Sequence, residues 1–474
     1  MSEIRHLEKS PQRLWTRVTF TCWLVVGFGT MSAKALENIP CETYPLGNGM
    51  RVVLHEDHAL PLVALHLLYR VGGRNEPPGK SGFAHLFEHL MFMGTKRVPD
   101  FDRLLESSGG TNNASTSMDY TDYHSSGPAD MLEELLWVEA DRMESLGSAL
   151  TQEKLDRQRE VVINEFRQVH ENTPYGQVWL EIPQWLYPPD HPYAHPLSGS
   201  LSDLGEASLE DVRRFFGQHY APSNASLAVT GDFEPAATRQ LVEKLFGRLP
   251  AAPTPSPSAL PPLPAIPLQR KITTDAVQLP KLIMVWHSPA MFAPGDAELE
   301  IAAYFLAEEK NSRLYRRLVY DRSLADSVSA SQDASLLGSM FVVEAIAQPG
   351  VSLRRIEREI DREIARLGSS PPSAREMRRA RNILEGAFVL RMEALESRAE
   401  LLNHYLFYHG KPDGLAQDWA RYQSVTPRAV SEAVSRFLDP GHRLIVHINP
   451  NKPQPLGHGA RPQKSNTSRE EARP

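Results

Sequence analysis

The stretch SGFAHLFEHLMFMGT, Ser81–Thr95, sets His85, Glu88 and His89 among leucine, phenylalanine and methionine. On a helix, residues 85 and 89 stand one turn apart and residue 88 shares their face. Two imidazoles so spaced can hold one cation of zinc's size, and zinc favours nitrogen and carboxylate ligands in a tetrahedral set. H-x-x-E-H is the reverse of the H-E-x-x-H pattern of zinc peptidases. Polar groups on an apolar stripe also need partners, because an unpaired buried charge is costly. The pattern is incomplete by itself. A chain with 17 histidines can place two of them a turn apart by chance, and two histidines plus water do not fill a tetrahedral site. A further ligand has to come from elsewhere, and Glu88 cannot easily be ligand and base at once.

The elements around this stretch alternate in type. MRVVLHED and LVALHLLYRV read as adjacent strands. GFAHLFEHLMF, DMLEELLWVEADRMESL and QEKLDRQREVVINEFRQV read as helices. Farther on, KLIMVWH is a strand, DAELEIAAYFLAEEKNSRLYRRLVY a helix, and LADSVSASQ with SMFVVEAIAQ a strand pair. LRRIEREIDREIARL and SAREMRRARNILEGAFVLRMEAL are helices. Strands, helix, strands, helices recur in both halves, which predicts an α+β fold built of two homologous α/β sandwich domains, mostly antiparallel sheet with helices packed on it. The proline-rich run LPAAPTPSPSALPPLPAIP, residues 249–267, cannot be helix or central strand and reads as a linker. It separates residues 36–248, which carry the H-x-x-E-H helix, from residues 268–450; residues 451–474 are polar and read as a disordered tail.

The N-terminus reads as an export signal. A basic segment is followed by the apolar VTFTCWLVVGFGTM and then by SAKA, with cleavage expected after Ala35. The apolar run is short for a bilayer span, so the expectation is a periplasmic or secreted protein without a stable membrane span after cleavage; an uncleaved anchor is the alternative. Cys22 would leave with the signal, and Cys41 alone cannot form an internal disulfide. A net charge of −7 without a basic block argues against nucleic acid as a partner.

GFAHLFEHLMFMGT resembles the metal helix of the pitrilysin/insulinase family of zinc metallopeptidases, which includes the mitochondrial processing peptidase. YRVGGRNEPPGKSG before it, GGTNNASTSMDYTDY after it, and HPYAHPLSG at residues 191–199 are also similar to family segments. The resemblance implies one Zn²⁺ per chain, held by His85, His89 and a glutamate on a downstream helix, which here is Glu165 in REVVINEFRQ. It implies Glu88 as the base, and Asn113 and Ala114 on an edge strand that receives an extended peptide substrate. The expected activity is zinc-dependent endopeptidase action on peptides or unfolded segments. With the zinc set complete, His55, His58 and His66 are expected to be exposed polar-face residues.

Two departures from the family qualify this. Seven residues before Glu165, where many members carry a second glutamate, stands Gln158, with Glu160 nearby; both are candidates to orient the ligands. In RLVYDRSLADSV, Val319 and Asp326 occupy the places of an Arg/Tyr pair that holds substrate and stabilises the oxyanion. Arg317, Tyr320 or Arg322 could substitute only with a shift of register. The chain is also half the size of single-chain members. It is therefore expected to be the zinc-bearing subunit of a heterodimer whose homologous partner supplies the Arg/Tyr pair. The alternatives are a homodimer and a non-catalytic scaffold member.

Overall fold

The computed structural model describes residues 38–253, 263 and 265–451. The export signal, the tail after Asn451 and most of the proline-rich run lie outside the described residues.

Two mixed sheets dominate. The first has the order β1-β2-β6-β3-β5-β4, formed by Glu42–Pro45, Arg51–Glu56, Ala225–Gly231, Leu62–Tyr69, Thr121–Pro128 and Thr111–Thr116 respectively. The second has the order β7-β11-β8-β10-β9, formed by Gln269–Asp275, Leu444–Pro450, Lys281–Ser288, Ser339–Ala347 and Ala325–Asp333. Without β1, the two orders correspond strand for strand. β2 runs parallel to β6 as β7 runs parallel to β11, and the other pairings are antiparallel. The recurrence expected from the sequence is thus a recurrence of topology. One expectation fails here. β2 and β3, expected side by side, are separated by β6, which arrives some 170 residues later in the chain.

The helices used below are α1 (Phe83–Leu90), α2 (Leu132–Ala149), α3 (Gln152–Phe166), α4 (Val178–Leu186), α5 (Leu353–Ser369), α6 (Ala374–Arg391) and α7 (Leu395–His409). The helix expected over residues 296–320 is interrupted. It is α-helical only from Asp296 to Ala303, widens into a π-turn over Tyr304–Glu308, breaks, and resumes as a π-helix over Tyr315–Asp321.

β3 is buried along almost its whole length, so both faces of the first sheet are covered. One face bears α1, α2 and the main core of the first half, with Val63, Leu65, Leu67, Phe87, Leu135 and Leu136 in contact. The other face is covered by α7, which belongs to the second half: Leu401, Leu402, Tyr405 and Leu406 pack on Val53 and Ala228. Asn403 on that helix donates to the backbone carbonyls of His66 and Ser226 at 2.8 and 3.0 Å. The exchange is reciprocal. α4, from the first half, lays Val178, Ile182 and Leu186 on Ile283, Val285, Val446 and Ile448 of the second sheet. At about 1.5–3 kcal/mol for each fully buried large apolar side chain, each docked helix contributes several kcal/mol.

This exchange explains a second correction. His55 and His66 are buried, at 7% and 1% exposure, because helices rather than water cover their sheet face; only His58 is exposed.

Candidate metal centre

α1 begins at Gly82 and stacks Phe83, Leu86, Phe87 and Leu90 into the core, which leaves His85, Glu88 and His89 on its other side. No side chain of Gly82 can cap the helix. The buried Glu76 does so instead, accepting the Gly82 and Ala84 amides at 2.8 and 2.7 Å. A carboxylate at a helix N-terminus also meets the favourable end of the dipole. Burial pushes the Glu76 carboxyl well up, opposed by those backbone donors. Ser81, just ahead, is held by Asp203, which accepts both its amide at 2.9 Å and its hydroxyl at 2.6 Å. Gly199 (φ 68°) passes so close that an added Cβ would lie 2.3 Å from Ser81 O.

α3 crosses α1 and brings Glu165 to the histidines. His85 Nε2 and His89 Nε2 are 3.3 Å apart, His89 Nε2 is 3.1 Å from Glu165 Oε2, and His85 Nε2 is 3.8 Å from Glu165 Oε1. Among the described residues this is the only group of three His, Cys, Asp or Glu side chains whose ligand atoms all lie within 4.8 Å of one another. The fit to zinc can be tested by distance. Two ligands at about 2.05 Å from a tetrahedral zinc are about 3.3 Å apart. The ring-to-ring and His89-to-glutamate separations lie within a few tenths of that edge.

The protonation states agree with a cation site. Burial, and then His89, push His85 down to about 4, so its ring is neutral at pH 7. Burial raises the Glu165 carboxyl, but the hydrogen bond from His89 and the two imidazoles more than offset this and hold it below the ordinary range. Neutral imidazole and ionised carboxylate are the forms a metal binds. Side-chain exposures of 19%, 17% and 33% leave the cluster open on one side.

Glu88 stands beside the three donors and outside the cluster. Its Oε2 accepts a short hydrogen bond from the Thr116 hydroxyl at the end of β4. Burial pushes its carboxyl up to about 7 in spite of that bond, which is where a general base at neutral pH works best. β4 is the outer strand of the sheet. Asn113 and Ala114 lie at its middle, with Asn113 exposed and its Oδ1 accepting the Ala114 amide at 2.9 Å.

The expected orienting pair is less well placed. Gln158 turns its amide toward Met93 Sδ, and Glu160 is exposed. His85 Nδ1 is buried and has no hydrogen-bond partner among the described residues. Val319 is half-buried and Asp326 exposed. Of the possible substitutes, Arg317 and Arg322 both bind Glu359, at 2.9 and 3.0 Å, while Tyr320 is 80% exposed. Sequence reasoning assigned no role to Glu76, Thr116 or Asp203. Glu76 could have been found as a carboxylate shortly before a helix that starts on glycine.

Comparison with known proteins agrees with the family resemblance. Residues 51–181 match the model described as insulinase (peptidase family M16), and residues 206–384 match the one described as peptidase M16 inactive domain. The chain belongs to the M16 (pitrilysin/insulinase) peptidase family. It is similar to the zinc protease PqqE of Helicobacter pylori, 28% identical over 77% of this chain and 83% of the relative. It is also similar to the probable mitochondrial-processing peptidase subunit beta of Arabidopsis thaliana, 24% identical over 85% of this chain and 77% of the relative. Among solved structures, a protease from Helicobacter pylori superposes with a TM-score of 0.81 at 25% identity, covering 87% of this chain and all of that one. A peptidase M16 inactive domain from Pseudomonas fluorescens gives 0.77 at 18% identity, covering 88% and 99%, a likeness of fold. In the M16 chain described here, no helix among the described residues is long and apolar enough to cross a membrane.

Proposed function

We propose that this chain is a zinc endopeptidase, and the metal-bearing member of a pair of family chains. The observation that carries the reading is the convergence of His85, His89 and Glu165 at the spacing of a tetrahedral edge, with Glu88 adjacent. His85 Nε2, His89 Nε2 and a Glu165 oxygen would hold the ion. When bound, zinc lowers the pKa of a coordinated water and polarises the scissile carbonyl. The remaining work falls to this chain's own groups. Thr116 fixes one oxygen of Glu88, so the other is free to take the water's proton and hand it to the leaving amine. The outer edge of β4 at Asn113 and Ala114 would bind an extended peptide as an added strand, holding the backbone without reading every side chain. That requirement favours unfolded segments.

The pairing rests on what the second half lacks. Valine at 319 has no donor, an aspartate at 326 would repel an oxyanion, and Arg317 and Arg322 are engaged with Glu359. A related chain carrying the Arg/Tyr pair would supply the missing groups. The leader-like N-terminus supports a periplasmic or secreted location.

The test is Glu88→Gln. Stoichiometric zinc should remain, while cleavage of a fluorogenic peptide by the assembled enzyme falls by about 10²–10⁴-fold. Retained cleavage would remove Glu88 from the mechanism, and absence of zinc from the wild-type chain would remove the peptidase reading altogether.

A further inference from the structure

α3 ends at Phe166, one residue beyond the third ligand, and the chain then widens into a π-turn over Arg167–Glu171, closed by the Asn172 amide donating to Arg167 O at 2.8 Å. Such turns are rare and concentrate at functional sites. A continuing α-helix would carry residue 170 about 140° around the axis from Glu165. In the wider turn His170 sits against Phe166, the residue next to Glu165, with ring centroids 4.9 Å apart.

Both nitrogens of His170 are engaged. Nδ1 faces Gly176 O at 3.4 Å, and Nε2 faces Ser198 Oγ at 2.8 Å. A neutral ring that donates from Nδ1 and accepts from the serine hydroxyl satisfies both. The two partners lead to different parts of the molecule. Ser198 precedes Gly199, which packs against Ser81 at the start of α1, and Ser200 N donates to Ser81 Oγ at 3.1 Å. Gly176 follows Tyr175, whose amide donates to Asp275 Oδ2 at 2.6 Å and whose hydroxyl donates to Leu279 O at 2.8 Å, both in the second half. Gly176 packs so tightly that a Cβ there would lie 2.7 Å from His170 O.

We propose that His170 is a positioning residue for the metal centre: it ties the end of the helix bearing Glu165 to the loop that seats the helix bearing His85 and His89, and so fixes the third ligand relative to the other two. This inference rests on the zinc reading of the cluster. Groups that orient ligands typically contribute 10–100-fold to metal affinity.

The test measures zinc affinity of the full chain by competition with a chromophoric chelator, alongside the melting temperature of the metal-free protein. Wild-type failure to bind zinc would defeat the zinc reading itself. Given wild-type binding, His170→Ala should weaken zinc about tenfold while the metal-free melting temperature moves by only a few degrees. Ser198→Ala, which removes one hydroxyl and leaves the ring in place, should weaken zinc less, and the double variant should be no worse than His170→Ala. Unchanged zinc affinity in Ser198→Ala and His170→Ala, or additive losses in the double variant, would overturn the proposal while leaving the zinc reading standing. Should His170→Ala fail to fold, the Ser198→Ala affinity decides: a loss supports the proposal and no loss overturns it.

Discussion

The two halves of this chain share one strand order and use it for different ends. Between β3 and β4 the first half places α1, with His85, Glu88 and His89 on the side turned from the core. Between β8 and β9 the second half places the helix Asp296–Ala303, in which Leu299, Ile301, Ala302 and Ala303 are buried and no histidine occurs. β4 ends at Thr116, bonded to Glu88; its counterpart β9 begins at Ala325–Asp326. The polar investment of the second half goes into packing. Asp296 accepts from Arg421 at 2.6 Å, Arg270 grips Glu357 through two bonds of 2.8 and 2.6 Å, and Arg317 and Arg322 converge on Glu359. The same topology therefore carries either a candidate metal cluster or a buttress, and a handful of side chains decides which.

The sharpest way to break this contrast is to remove a ligand. His89→Ala should abolish stoichiometric zinc and peptide cleavage, whereas Asp296→Ala should leave zinc content unchanged and lower only stability; metal analysis and thermal melts separate the two. Next in size is the division of labour between chains. The purified chain alone should be slower than the same chain mixed with a relative bearing the Arg/Tyr pair, by about 10²–10³-fold, the usual value of a lost oxyanion donor. Val319→Arg with Asp326→Tyr should leave the isolated chain unchanged; a large gain would instead show that copies of this chain pair with each other.

Smaller effects follow from titration. His404 on α7 lies against His66, and burial pushes it down to about 4. Between an unfolded value near 6.5 and that folded value, the unfolded chain binds the extra proton. Stability is therefore full above pH 6.5 and falls as the pH drops toward 4, by about 3 kcal/mol. His404→Leu should flatten that slope in pH-dependent denaturant melts. Glu357 in the second half is raised by burial but drawn down to about 2 by Arg270 and His447. Its contribution is intact above about pH 4.5 and disappears only toward pH 2. The contact between halves should thus weaken at milder acidity than the pairing inside the second half. The smallest change is Tyr175→Phe, which deletes the bond to Leu279 O and should cost about 1 kcal/mol.

Much of the site was legible because its residues are diagnostic by type. H-x-x-E-H on an apolar helix points to a cation cluster, and Glu165, expected from family resemblance and its place on a helix, lies beside the two histidines. Strand and helix identities in both halves were legible from periodicity. What could not be read was arrangement. Nothing in MRVVLHED or LVALHLLYRV shows that a strand from residue 225 onward will slide between them. Nor does His66 reveal that it will be buried, since the helix that buries it begins at residue 395. The expected helix through Val169 gives way at Phe166 to a π-turn that no pattern of apolar residues marks. In the second half a continuous helical periodicity over residues 296–320 conceals a break near Glu309.

The reciprocal docking of α4 and α7 has a consequence for how the protein can come apart. Each half lends the other a helix, so neither sheet has both faces covered unless both halves are present. A cut in the chain between residues 253 and 263 would sever the covalent connection and leave the clasp intact. Fragments made separately should each expose a bare apolar sheet face, aggregate alone, and recover a single particle only when refolded together. The halves hold each other by an exchange of helices, and that interlock should outlast the loss of the covalent connection.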